Sequence, residues 1–219
     1  MGGTLMHFST VLFNVSDMIG CVAFALSGAM TGLKYRLDVF GITVLGVITS
    51  LGGGMIRDIL IGRIPPTMFQ KPIYAMVAIA TSLLIFIIAW FSQSHYERWE
   101  AHIESLANVF DAIGLGAFTV VGMQAGINEG YGDNGFLLMF LSLLTGVGGG
   151  MIRDLFVQRM PGVLHKHVYA VAVLIGALVY LTLYRRDVSD LIATPVTILL
   201  VFTIRMLATH YRWNLPKAW

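Results

Sequence analysis

Apolar residues along this chain come in long runs rather than in alternating or one-faced patterns. Seven runs stand out, at Leu12–Thr31, Val39–Ile61, Ile73–Phe91, Leu106–Ala125, Phe136–Val157, Val168–Tyr184 and Leu191–Thr209. A bilayer core about 30 Å thick needs about 20 such residues per helical span. Within each run the hydrophobic side chains occupy every helix face, as lipid-facing or bundle-buried helices require. Strands of a membrane barrel would alternate in segments of about 10 residues, and no such segments occur. The pattern predicts an all-α membrane protein with seven transmembrane helices in a single transmembrane domain, residues 1–219.

Composition agrees and excludes several classes. Of the 219 residues, 57% are hydrophobic and 12% charged, against about 25% charged in soluble domains. A soluble enzyme and a basic nucleic-acid module are both excluded, and no nucleic-acid partner is expected. The single cysteine, Cys21, rules out an internal disulfide. No nucleophile elbow, phosphate loop or His-Glu-x-x-His is present, so neither enzymatic activity nor a cofactor nor a resident metal is expected. The first run has no basic flank before it, contains Asp17 and recurs later, so it reads as a span and not as a cleaved leader. Lys34, Arg36, Arg98, Arg159, Lys166, Arg212 and Lys217 would share one side, against Arg63, Lys71, Arg185 and Arg186 on the other. The basic excess predicts that the N-terminus is outside and the C-terminus cytoplasmic.

The chain repeats itself. Gly52-Gly53-Gly54-Met55-Ile56-Arg57-Asp58 recurs without change as Gly148-Gly149-Gly150-Met151-Ile152-Arg153-Asp154. In the preceding span Asp17-x-x-Gly20 answers Asp111-x-x-Gly114, and Gly28-x-x-x-Gly32 answers Gly122-x-x-x-Gly126. Thr49, Pro65 and Tyr74 have counterparts in Thr145, Pro161 and Tyr169. The unit is a three-helix repeat, residues 12–91, with a second copy at 106–184 and an extra seventh helix at 191–209. An odd number of spans per copy forces the copies into opposite orientations. A 3+3 inverted repeat is the build of proteins that carry solutes or ions across a bilayer, with the route where the copies meet.

Two features mark that route. Three consecutive glycines weaken a helix, each by about 1 kcal/mol relative to alanine. They serve close helix packing, or a mid-membrane break whose freed carbonyls face water and bind a cation. Gly52, Gly53, Gly54, Gly148, Gly149 and Gly150, with Asp58 and Asp154, are therefore the candidate constriction. Six charges lie within the runs, each costing about 2.5–3.5 kcal/mol near a helix centre unless paired or hydrated. Depth along the spans pairs Arg57 with Asp17 and Arg153 with Asp111, and turns Asp58 and Asp154 toward the route. Arg205 lies close enough to a span end to snorkel. The polar clusters His165-Lys166-His167 and His95–Glu104 read as solvated connections. On this basis Gly53→Leu or Gly149→Leu is expected to lower conductance and leave the fold largely intact.

The doubled Gly-Gly-Gly-x-x-Arg-Asp motif in spans two and five of a seven-span repeat resembles the prokaryotic trimeric intracellular cation (TRIC) channels, over about Leu12 to Thr209. The resemblance implies a homotrimer with a pore in each subunit, conducting monovalent cations (K+ and Na+, potassium favoured) across a prokaryotic inner membrane, with membrane lipids around it. It also implies bent spans two and five at their glycine triplets. The Lys-Glu-Val signature of lipid-regulated animal relatives is absent from this chain. Bacterial members of the group are also described as small-solute transporters, so a carrier for glycine or a similar solute is the alternative, and a dry membrane scaffold a third.

Overall fold

The computed structural model describes residues 2–91, 96–165 and 168–213. These form α1 (Gly2–Lys34), α2 (Val39–Leu60), α3 (Thr67–Gln70), α4 (Ile73–Phe91), α5 (Tyr96–Asn128), α6 (Gly135–Phe156), α7 (Gly162–His165), α8 (Tyr169–Arg185) and α9 (Asp190–His210). No strand occurs among the described residues. Six helices, α1, α2, α4, α5, α6 and α9, are long and apolar enough to cross a membrane, and α8 is a shorter apolar helix of 17 residues. His95, Lys166, His167 and Lys217, named above from the sequence, lie outside the described residues.

Helices α1 and α5 each run for 33 residues, about 50 Å at 1.5 Å per residue. Both start ten residues before the apolar run that marks them, at Gly2 and Tyr96 instead of Leu12 and Leu106. The first turns of α5 read Tyr-Glu-Arg-Trp-Glu, which is compatible with a helix but invisible to hydropathy. The starts of α2 and α6 are capped alike. The Asp38 carboxylate accepts the Gly41 N–H at 2.7 Å, and the Asn134 side-chain oxygen accepts the Leu137 N–H at 3.0 Å, each satisfying a donor that the helix leaves open.

Small residues set how the helices pack. A Cβ on Gly28 would lie 2.6 Å from Thr49 Oγ1 and 2.7 Å from the Leu45 carbonyl. Its counterpart Gly122 meets the matching atoms of Leu141, Ser142 and Thr145. Pairs α1/α2 and α5/α6 are thus built in the same way, with backbones in the close approach that small residues permit in lipid. Helix α4 buries only a stripe, Tyr74, Ala78 and Ser82, at four-residue spacing. It exposes Met76, Ile79, Leu84, Ile87 and Ile88.

The two halves meet through reciprocal contacts. A Cβ on Gly53 would sit 2.6 Å from the Thr145 carbonyl, and one on Gly149 would overlap the carbonyl of Thr49, the counterpart of Thr145. Phe24 and Phe118 are likewise counterparts and meet edge to face with centroids 5.1 Å apart. Each ring lies over the other helix's glycine: Phe118 on Gly20, Phe24 on Gly114. Contacts exchanged between counterpart residues are the signature of a two-fold relation between the halves.

The helix breaks expected at the triplets are absent. Helices α2 and α6 are helical through residues 52–54 and 148–150. The glycines serve the crossing itself: with no Cβ between them, the two backbones approach to contact, which offsets their poor helix propensity. The expectation that leucine at Gly53 or Gly149 spares the fold is therefore corrected, because even a methyl group there meets backbone that has no room to yield. Gly149→Ala should lower stability by about 1–3 kcal/mol. Gly54→Ala, whose Cβ meets nothing nearer than Arg57 Nη2 at 3.6 Å, should hold or gain up to about 1 kcal/mol. Thermal unfolding of the two purified variants checks this, and equal losses would contradict it.

Candidate functional site

The Arg-Asp pairs end α2 and α6, and both are buried: Arg57 is 4% exposed, Asp58 1%, Arg153 9% and Asp154 1%. Burial of this order demands complete pairing. Arg57 donates through Nε and Nη2 to Asp58 Oδ1 at 2.9 and 2.8 Å. Asp58 Oδ2 accepts the backbone N–H of Thr67, the first residue of α3, at 2.8 Å. The second copy does the same, with Arg153 Nε on Asp154 Oδ1 at 3.0 Å and the Gly162 N–H, first in α7, on Asp154 Oδ2 at 2.8 Å. Each aspartate thus holds its own arginine with one oxygen and the connector helix with the other. Neighbouring residues point apart at Cβ, but the long arginine side chain folds back to its neighbour. Asp58 and Asp154 are thus clamps at the ends of α2 and α6.

The arginines differ in their remaining contacts. Arg153 Nη1 donates to Asp111 Oδ1 at 2.8 Å and to Ser27 Oγ at 2.7 Å. Asp111 Oδ2 accepts the Tyr169 hydroxyl at 2.6 Å, and the Arg205 guanidinium lies 4.5 Å above the Tyr169 ring. Arg205 is 3% exposed, so it packs inward over an aromatic face and does not snorkel. Depth along the helices was a sound guide to the Arg153–Asp111 contact. It also put Asp17 and Arg57 on one cavity, though the described ion pair of Arg57 goes to Asp58. Asp17 hydrogen-bonds Tyr74 instead. The halves also differ at the counterpart of Ser27, which is Val121, a buried apolar residue.

A cavity of about 30 Å³ occupies the space thus left, lined by Asp17, Ser50, Gly54, Arg57, Asp58 and Tyr74, and reaching Phe118 and Thr145. A second of about 30 Å³ lies at the Arg153 end, bordered by Ser27, Lys34, Glu104, Asn108, Arg153 and Arg159. Lys34 closes on Glu104 there at 2.7 Å. Each is roomy enough for water. Between them stand the Phe24–Phe118 pair and the glycine crossing.

A protein-family model described as glycine transporter matches residues 14–90 and 108–185. The inner membrane protein YadS of Escherichia coli K12 is 32% identical over 205 residues, covering 91% of this chain and 93% of that protein. A solved structure of a TRIC cation channel, concerned with the basis of conductance, superposes with a TM-score of 0.80 at 34% identity, over 94% of this chain and 97% of that one. The chain belongs to the prokaryotic TRIC family. The TRIC orthologue of Rhodobacter sphaeroides agrees in fold, with a TM-score of 0.81 at 26% identity, over 91% of this chain and 98% of that one. These likenesses are to channels and transporters, not to enzymes. The described residues hold no cluster of His, Cys, Asp or Glu suited to a metal.

Several residues of this TRIC-family site escaped the sequence reading. Phe24 and Phe118 are ordinary apolar letters within apolar runs, and only their matching places in the two copies, four residues after Gly20 and Gly114, could have singled them out. Ser27 has a polar side chain where its counterpart has none, so comparison of the copies would have found it. The connector helices α3 and α7 are four residues long, too short for any periodic signal, though Pro65 and Pro161 precede both. Because Asp111 shares a buried guanidinium and a phenol, Asp111→Asn should cost about 2–3 kcal/mol. Asp17→Asn should cost about 1 kcal/mol or less, since Arg57 keeps Asp58. Equilibrium unfolding in detergent separates these, and a larger loss for Asp17→Asn would reverse the assignment.

Proposed function

We propose that the chain is a cation channel of the inner membrane, assembled as a homotrimer, with a route inside each subunit between the two three-helix copies. The observation that carries this reading is the pair of charged cavities that approach the Phe24–Phe118 contact from opposite ends, in a fold shared with TRIC cation channels. The conformation described is then the closed one. Its constriction is the crossing of Gly52–Gly54 with Gly148–Gly150, sealed beside it by the two rings.

Charge at the first cavity supports cation passage. With Arg57 bound by Asp58, Asp17 is the surplus carboxylate at the first cavity. At the other end Asp111 and Asp154 hold Arg153, beside a cavity bordered by Lys34, Arg159 and Glu104. The permeant ions are monovalent, with K+ favoured over Na+, and the N-terminus faces outward with the C-terminus cytoplasmic. Opening requires the rings to part, which α1 and α5 can do by sliding or rotating at Gly20 and Gly114. The exposed apolar residues of α4 face lipid or neighbouring subunits in the trimer.

A carrier is the second reading, favoured by the glycine-transporter description of the family model. A carrier would alternate access around the same waist. Planar-bilayer recording in KCl decides between them. Discrete current steps support the channel, whereas saturable uptake without steps supports the carrier. Phe118→Ala removes one side of the seal and should raise open probability about two- to tenfold, an edge-to-face pair being worth about 0.5–1.5 kcal/mol. An unchanged open probability would remove the rings from the gate.

A further inference from the structure

Helices α1 and α5 carry a cleft at each end of their contact, and the two clefts are one place in the repeat seen twice. The first is the cavity at the Arg153 end, bordered by Met30, Lys34, Glu104, Ala107 and Asn108. The second opens at the opposite end of the pair, bordered by Thr10, Phe13, Asn14, Gln124 and Asn128. The register that relates Asp17 to Asp111 and Phe24 to Phe118 also relates Met30 to Gln124 and Lys34 to Asn128. It carries Thr10 to Glu104, Phe13 to Ala107 and Asn14 to Asn108 as well.

The clefts differ in size and in charge. One holds about 30 Å³ and the other about 690 Å³. Bulk runs the wrong way at one shared position, where the wide cleft has Phe13 and the narrow one Ala107. At another, Gln124 and Met30 are alike in length. What spans the narrow cleft is an ion pair: Lys34, at the end of α1, reaches Glu104, near the start of α5, at 2.7 Å. At the wide end the same two positions are Asn128 and Thr10, which carry no charge. Tyr180, Tyr184 and Asp190 complete the border there. Phe13 packs against the cluster of Phe24, Phe118 and Val121, so the wide cleft too abuts the waist.

We infer that the clefts are a matched pair of mouths, one open and one shut, and that Lys34 with Glu104 is a salt-sensitive latch on the shut one. The two side chains are 34% and 48% exposed, so dissolved ions reach and screen them. The screening length falls from about 10 Å at 0.1 M salt to about 3 Å at 1 M. The Arg153–Asp111 pair behind the latch is only 10% and 5% exposed and is screened far less. Rising salt therefore loosens the end of α1 from α5 and leaves the buried network in place. The inference deepens the proposed route and rests on it in one respect, since the latched cavity is one end of that route.

Asn14 and Asn108 supply the test, being the same residue at counterpart positions, one in each cleft. Each is changed to cysteine in the full chain, which is placed in nanodiscs and treated with methyl methanethiosulfonate, an uncharged reagent. Peptide mass spectrometry follows the rate at that site apart from the buried Cys21. At about 20 mM KCl, Asn14→Cys should react faster than Asn108→Cys. Raising KCl to about 500 mM should speed Asn108→Cys about two- to fivefold, the range open to an exposed ion pair, and leave Asn14→Cys unchanged. Adding Lys34→Asn, which installs the counterpart residue, should give the faster rate at low salt and abolish the salt response. Equal rates at the two cysteines in low salt would overturn the proposal. So would a salt-indifferent Asn108→Cys, or a salt response that survives Lys34→Asn. The salt series alone keeps Lys34 and decides the matter even where that variant fails to fold. Labelling needs no ion flow, so a failed latch leaves the channel reading to the bilayer recording, and a silent bilayer leaves the latch to the labelling.

Discussion

Two helices cross in this protein with nothing between their backbones, and the rest of the architecture is arranged around that contact. In lipid there is no hydrophobic drive to press one apolar helix against another, so association rests on close packing and polar bonds. At Gly53 and Gly149 the absence of Cβ lets α2 and α6 approach until each glycine faces a threonine carbonyl of the other. A continuous helix through three glycines is poor on propensity alone. It persists because each helix braces the other. The same logic recurs where Gly28 and Gly122 seat α1 on α2 and α5 on α6.

Buried charge is the second constraint. Each Arg-Asp pair closes the end of a helix and fastens the connector that follows, so a costly side chain also does the work of a loop anchor. The halves then diverge. Ser27 draws Arg153 across the interface into a network with Asp111, Tyr169 and Arg205. Arg57 keeps to Asp58, and a water-sized cavity remains beside Asp17. Duplication supplies symmetric positions, and differences within them give the two ends unlike bonding.

Closure at the centre is equally economical. Phe24 and Phe118 each need a glycine beneath them, and each finds it on the opposite helix at the counterpart position. The seal depends on the register of α1 against α5. Any slide that moves one ring from its glycine moves the other as well. That coupling ties the two halves together at the waist.

Much of this was legible in the sequence. The length of the apolar runs alone specified membrane helices, because lipid thickness and helix rise leave little freedom. The exact recurrence of Gly-Gly-Gly-Met-Ile-Arg-Asp specified two copies, and an odd number of spans in each specified their opposition. Depth, which is linear in residue number along a helix, was enough to bring Arg153 to Asp111. What it could not specify was azimuth: whether an arginine turns toward a partner across the interface or back upon its neighbour depends on what stands opposite. Only the tertiary structure set Ser27 against Arg153 and left Arg57 to its neighbour Asp58. It alone showed that the glycines are consumed by a crossing and not by a break, since both uses require the same residues. Asn14 and Asn108, alike in the sequence, likewise became informative only once folding had set them in two unlike clefts.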